Sequence, residues 1–179
     1  VFLDRDGVIN KAFVRDGVPH PPASLAELEL LPGVDEALHL LADQGWPLIV
    51  VTNQPDVARG TQRKEAIEEI HAHLRRELPI LQIYACYHDN ADRCSCRKPL
   101  PGMWLQAADE HSLDLRRSYS VGDRWSDVVA GAAAGTTTYL LDFHYSQGER
   151  CSPDFRMGDL LSVARSIVSH PSRSTTGAA

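Results

Sequence analysis

Short unbroken apolar runs alternate along this chain with longer stretches in which apolar residues recur at helical spacing. Residues 1–3 (Val-Phe-Leu) and 47–51 (Pro-Leu-Ile-Val-Val) have the continuous apolar character of strands buried on both faces. Further strands are predicted at 82–86, 118–121 and 137–141. Between them lie helical patterns. One opens at Pro32-Gly33, places Val34, Leu38, Leu41 and Ala42 on one face, and stops at Gly45. A second spans 63–78, with Ile67, Ile70 and Leu74 inward. A third opens at Pro101-Gly102, with Met103, Leu105 and Ala108 expected inward. A small-residue helix follows at 127–134. The last, at 158–168, turns Leu160, Leu161, Ala164, Ile167 and Val168 to the core. Strand–helix alternation of this kind predicts an α/β fold with a doubly wound, mainly parallel sheet. Residues 9–31 contain Asp16-Gly17, Pro19, Pro21 and Pro22, and are expected to be irregular through the middle. A loop of that length is either a wall beside a functional site or a surface excursion.

In such a sheet the strand C-termini share one edge, where open α/β folds bind ligands. The polar residues that end the apolar runs therefore converge there. Asp4 and Asp6 follow the first strand, separated by one residue and followed by Gly7. On extended chain they point the same way. Two like charges so close suit a hard cation such as Mg2+ between them, although an acidic turn would read the same. Thr52 and Asn53 end the second strand, Lys98 follows the third, and Gly122-Asp123 ends the fourth. Carboxylates to hold a metal, opposite a hydroxyl, an amide and an ammonium to hold phosphate oxygens, make an arrangement for phosphoryl transfer. No Gly-x-x-x-x-Gly-Lys-Ser/Thr run is present, so a carboxylate nucleophile fits better than a kinase.

A second cluster is Cys86, His88, Cys94 and Cys96. Three thiolates and an imidazole compose a closed tetrahedral Zn2+ site with no position left for water, so a structural role is expected. The alternative is a set of reduced thiols with a chance histidine. The loop leads directly into Arg97 and Lys98, so a metal there would position catalytic groups. Cys151 stands alone and no role is assigned to it.

Composition narrows the class. The 179 residues are enough for one domain, expected over 1–169, with the polar residues 170–179 expected to be a disordered tail. A net charge of −6 argues against a nucleic-acid-binding role. No apolar run approaches membrane-spanning length, and no signal peptide is visible. A cytoplasmic, monomeric protein acting on a small phosphorylated metabolite is expected, with no nucleic acid or membrane as partner.

Asp4-Arg5-Asp6-Gly7, Thr52-Asn53-Gln54, Arg97-Lys98-Pro99 and Gly122-Asp123-x-x-x-Asp127 together resemble the four motifs of the haloacid dehalogenase (HAD) superfamily, in their usual order. The resemblance implies an HAD-like Rossmannoid fold and these roles. Asp4 would be the nucleophile, forming a phosphoaspartyl intermediate, and Asp6 the acid and base. Thr52 and Lys98 would hold phosphoryl oxygens. Mg2+ would be bound by Asp4, the main-chain carbonyl of Asp6, and Asp123. Asp127 would orient Lys98 or a metal-bound water, unless it simply complements a helix N-terminus.

The zinc loop followed by Arg-Lys-Pro is similar to the branch of D-glycero-D-manno-heptose 1,7-bisphosphate phosphatases and their histidinol-phosphate phosphatase relatives. That branch has the zinc-loop insertion and no large cap domain. It implies hydrolysis of heptose bisphosphate to heptose 1-phosphate, with histidinol phosphate or another small metabolite as the alternative substrate. A zinc-stabilised binding module without catalysis is a further alternative. Asn53, Gln54, Arg97 and Arg124 become candidate substrate contacts, with Arg59, which an ordinary solvated loop would equally explain. Two stretches depart from the branch: Pro55-Asp56 where Ser-Gly is common, and 14–19 where Gly-Tyr-Val is common. His20 is a further candidate contact from the early loop, whereas His39, His71 and His73 are expected on helix surfaces.

Overall fold

The computed structural model describes residues 1–15, 18–142 and 151–169. Asp16-Gly17 and residues 170–179, expected to be a disordered tail, lie outside the described residues. In chain order the elements are β1 (Phe2–Leu3), β2 (Phe13–Arg15), β3 (Val18–His20), α1 (Val34–Asp43), β4 (Ile49–Asn53), α2 (Lys64–Glu77), β5 (Gln82–Cys86), α3 (Gly102–His111), β6 (Tyr119–Gly122), α4 (Trp125–Ala134), β7 (Thr137–Leu141), β8 (Phe155–Met157) and α5 (Leu160–Ser169). Six strands form one sheet in the order β5-β4-β1-β6-β7-β8, and every pairing is parallel.

Period-two alternation divides the strand residues between two cores. Leu3, Val50 and Val121 face α1, α2 and α5, meeting Leu38, Leu41, Ile70, Leu74 and Ile167. Phe2, Ile49 and Val51 face α3 and α4, meeting Trp104, Ala107 and Ala130. The central strands are hydrophobic on both sides because both sides are covered.

Three expectations are corrected. The early loop is not irregular throughout: β2 and β3 pair antiparallel as a small separate ribbon, with Val14 opposite Pro19. A two-stranded ribbon consists only of edges, and Pro is tolerated where no ladder hydrogen bond is required of it. On α3, Met103, Trp104 and Ala107 are buried, whereas Leu105 is 52% exposed. Trp104 decides the rotation: its ring lies 6.0 Å from Phe2 and its Nε1 donates to Ser120 Oγ at 2.7 Å. Leu105 lies about 100° further round the helix and is turned out. On α2, His71 is buried, not on the surface. It continues the Ile67, Ile70, Leu74 stripe at helical spacing.

Candidate active site

Each group at the C-terminal edge is placed by the end of a strand. The Asp4 amide extends the β1–β6 ladder by donating to Val121 O at 2.9 Å. The chain then folds tightly, with the amides of Ile9 and Asn10 on Arg5 O, and Gly7 adopts φ +90°, where a side chain would be strained. Gln54 extends the β4–β5 ladder, its amide on Cys86 O at 2.7 Å. Gly122 ends β6 in a place only glycine fits: a Cβ there would lie 2.1 Å from Asp127 Cβ. That close approach lets Asp127, in the first turn of α4, reach back over the strand end.

Lys98 is the centre of the site. Its ammonium donates to Val51 O at 3.0 Å and pairs with two carboxylates, 2.8 Å from Asp4 Oδ1 and 2.5 Å from Asp127 Oδ1. Burial alone would lower its pKa; Asp127 and Asp4 outweigh that and keep it raised and charged. Asn53 clamps the lysine backbone: its Nδ2 donates to Lys98 O and its Oδ1 accepts from Lys98 N, both at 3.1 Å. Asp127 also caps α4, its Oδ2 accepting from the Arg124 amide at 3.0 Å.

The two aspartates of the first motif have opposite surroundings. Burial pushes Asp4 up to about 6, with Lys98 opposing and Asp127 and Asp6 adding to the rise. For Asp6 burial also acts upward, but Arg5, Asn10 and Gln54 outweigh it and hold the carboxyl below its usual range. Arg5 donates from Nε and Nη2, Asn10 Nδ2 reaches Oδ1 at 2.9 Å, and Gln54 Nε2 reaches Oδ2 at 2.7 Å.

These groups open on a cleft of about 430 Å³ lined by Asp4, Asp6, Asn53, Lys98, Arg97 and Arg124 among others, with Trp125 and Ser126 of the α4 N-terminus. The positive end of the helix dipole there favours an anion. Asp4, Asp123 and Asp127 each offer a carboxylate oxygen within 4.8 Å of one another. An all-oxygen, strongly negative donor set fits a hard divalent cation. The side chain of Asp6 is outside this group; the route expected for it was its main-chain carbonyl.

Of the expected substrate contacts, Gln54 and Arg59 lie away from the cleft lining, and Arg97 lines it. Gln54 is fully buried and holds Asp6 and, at 2.9 Å, Thr52 Oγ1. As an acceptor of that bond, the Thr52 hydroxyl keeps its own hydrogen to donate. Arg59 is not among the cleft-lining residues. It forms a bidentate pair with Asp89, at 2.9 and 2.8 Å, which ties the loop before α2 to the cysteine loop. Arg97 lines the cleft but is braced from below, Nε on Asn90 Oδ1 and Nη1 on His88 O. The sequence reading gave no role to Arg5, Asn10 or His71; all three are buried, Arg5 and Asn10 bonded to Asp6 and His71 to Arg5.

Cys86, His88, Cys94 and Cys96 come together after β5. Cys86 Sγ lies 3.2 Å from Cys96 Sγ, 3.7 Å from Cys94 Sγ and 3.6 Å from His88 Nδ1; His88 Nδ1 lies 3.3 Å from Cys96 Sγ. A tetrahedron with metal–sulfur bonds of about 2.3 Å has edges of about 3.7 Å, so the four atoms fit the corners of a zinc site.

The HAD-hydrolase-like family model matches residues 95–153. A D-glycero-beta-D-manno-heptose-1,7-bisphosphate 7-phosphatase of Helicobacter pylori is 34% identical over 149 residues, covering 79% of this chain and 82% of that protein. Its counterpart in a strain of Escherichia coli is 37% identical over 153 residues, covering 79% and 77%. Among solved structures, the D,D-heptose 1,7-bisphosphate phosphatase of B. bronchiseptica complexed with magnesium and phosphate superposes with a TM-score of 0.81 at 30% identity, covering 95% of this chain and 98% of that one. The fold, the strand-edge carboxylates and lysine, and these likenesses agree: the chain belongs to the HAD superfamily of phosphatases, in the branch of the heptose bisphosphate phosphatases.

Proposed function

We propose that the protein is a Mg2+-dependent phosphatase that hydrolyses D-glycero-D-manno-heptose 1,7-bisphosphate to heptose 1-phosphate through a phosphoaspartyl intermediate. The observation that carries this reading is the Asp4 carboxylate at the cleft, 2.8 Å from the buried ammonium of Lys98. A nucleophilic carboxylate held beside a cation suits attack on a phosphoryl group whose oxygens that cation also meets.

In the first half-reaction an Asp4 oxygen bonds to phosphorus, the bond from phosphorus to the sugar oxygen breaks, and Asp6 delivers a proton to that oxygen. In the second, water attacks the phosphoaspartate, Asp6 takes its proton, and phosphate leaves with Asp4 regenerated. Asp6 at rest is ionised, the form the second half needs. The negative charge of an arriving phosphate raises its proton affinity for the first. Lys98 and the Thr52 hydroxyl bind phosphoryl oxygens. Asp4, Asp123 and the Asp6 carbonyl would hold Mg2+, with Asp127 beside them, and the metal would neutralise charge on the transferring group. Arg97 and Arg124 give the cleft positive charge beyond Lys98, as a second phosphate on the substrate requires. Zn2+ in the cysteine loop has a structural role.

The test is phosphate release from heptose 1,7-bisphosphate, histidinol phosphate and a panel of sugar phosphates, with and without Mg2+. Heptose bisphosphate is expected to give the highest kcat/KM, and Asp4→Asn to abolish turnover while leaving the circular dichroism spectrum unchanged. Full activity in Asp4→Asn would refute the mechanism; preference for histidinol phosphate would refute the substrate.

A further inference from the structure

Two buried polar side chains take no part in the chemistry above. The Arg5 guanidinium is fully buried, although it stands between two catalytic carboxylates in sequence. Its Nε and Nη2 are committed to Asp6. Its Nη1 faces away, 2.9 Å from Nε2 of His71, on the inner face of α2. A guanidinium can only donate, so His71 Nε2 accepts and the imidazole carries its hydrogen on Nδ1. That Nδ1 lies 3.9 Å from Glu68 Oε2, and the other Glu68 oxygen accepts from the Tyr87 hydroxyl at 2.5 Å. Tyr87 stands between Cys86 and His88. Tyr87 and Glu68 thus lie between the cysteine loop and His71, with a gap of 3.9 Å between Glu68 and the imidazole.

We propose that His71 is a positioning residue for Asp6: as the neutral Nδ1–H tautomer it accepts from Arg5 and fixes the plane of the guanidinium that orients the Asp6 carboxylate. Without that acceptor Nη1 becomes a buried donor with no partner in place. The guanidinium must then turn to find one. Its three bonds to Asp6 turn with it, and the carboxylate leaves the direction of the leaving oxygen. A merely structural His71 would support folding without affecting how the reaction depends on its leaving group.

The inference rests on the acid–base role proposed for Asp6, and the experiment separates the two. A series of substituted phenyl phosphates is hydrolysed by the wild type, His71→Asn, His71→Gln and Asp6→Asn, and log kcat/KM is plotted against leaving-group pKa. General-acid help matters most for poor leaving groups. His71→Asn is therefore expected to lose about tenfold or more with the poorest and less than about threefold with p-nitrophenyl phosphate, steepening the slope. His71→Gln, whose side-chain oxygen reaches about as far as Nε2, is expected to restore the wild-type slope. An equal loss across the series, or no loss, overturns the proposal. A steep slope in Asp6→Asn with a wild-type slope in His71→Asn overturns this inference alone; a wild-type slope in Asp6→Asn overturns the Asp6 role and this with it. If His71→Asn does not fold, the wild type still decides: nitrogen-15 spectra at neutral pH should show the His71 hydrogen on Nδ1, and a hydrogen on Nε2 refutes the assignment.

Discussion

At the scale of single residues, the site depends on close approaches as much as on charged groups. Gly122 is the sharpest case. A methyl group there would meet Asp127 Cβ at 2.1 Å and Oδ2 at 2.7 Å, and neither the strand end nor the helix start can yield without moving Asp127. Asp127 holds Lys98 with one oxygen and caps α4 with the other. Gly122→Ala is therefore expected to lower kcat at least about tenfold, by withdrawing one of the anchors of the lysine. It should also cost about 1–3 kcal/mol of stability, as overpacking does. Steady-state kinetics and a denaturant melt check both, and a variant with wild-type kcat would show that Asp127 does not need this approach. Charged residues at strand ends were legible in the sequence, because the end of an apolar run announces the catalytic edge. Arg5 and Gln54 were less so. A residue beside a motif is easily given to the substrate, and only the structure shows Gln54 with its amide on Asp6. His71 had left a signal, standing at helical spacing with Ile67, Ile70 and Leu74, but a histidine on an otherwise charged helix reads as solvated until a buried partner is seen.

At the scale of elements, the central strands and their helices were readable because each buries a continuous apolar run or stripe. What escaped reading was short or set by one side chain. The β8 strand Phe-Arg-Met is too brief to show a period and is exposed through most of its length. The rotation of α3 followed Trp104 and not its leucine. The cysteine loop differs from both: its pattern is one of residue chemistry, not periodicity, and the four residues that come together there stood out by spacing. It carries Asn90 and His88, which brace Arg97, and it is joined to the loop before α2 by Asp89 and Arg59. Metal bound here would stabilise whatever geometry the loop imposes on the lysine that follows. Cys96→Ser is expected to release most of the zinc and to lower kcat at least about tenfold, while the sheet core keeps its far-ultraviolet dichroism. Metal analysis and kinetics on one preparation read both. A zinc-free protein with full activity would leave the loop no part in positioning Lys98.

At the scale of the whole molecule, the burial of Asp4 beside Asp6 and Asp127 makes stability depend on pH, and a cation bound there would change that dependence. Burial raises Asp4 from 3.8 to about 6, so in metal-free protein the folded state holds that proton more tightly than the unfolded chain. Stability contributed by Asp4 is present below about pH 4 and is lost as pH rises through about 6, above which the ionised carboxylate carries its full burial penalty. A divalent cation on the ionised carboxylate removes the penalty where it is largest. His71 works in the other direction. Burial, with Arg5 adding, lowers its pKa to about 3, so the stability it contributes is present above about 6.5 and lost as pH falls towards 3. The His71 effect is common to metal-free and metal-bound protein and cancels in their difference, whereas the Asp4 effect does not. The rise in melting temperature on adding Mg2+ is therefore expected to be larger at about pH 7.5 than at about pH 5. The apparent Mg2+ affinity should be about tenfold weaker at the lower pH, where a proton on Asp4 must first be displaced. Thermal melts over a Mg2+ titration at the two pH values measure both quantities. Equal shifts at both would mean that the cation does not bind through Asp4, and the same titration on Asp4→Asn, expected to show little dependence on pH, identifies the carboxylate responsible.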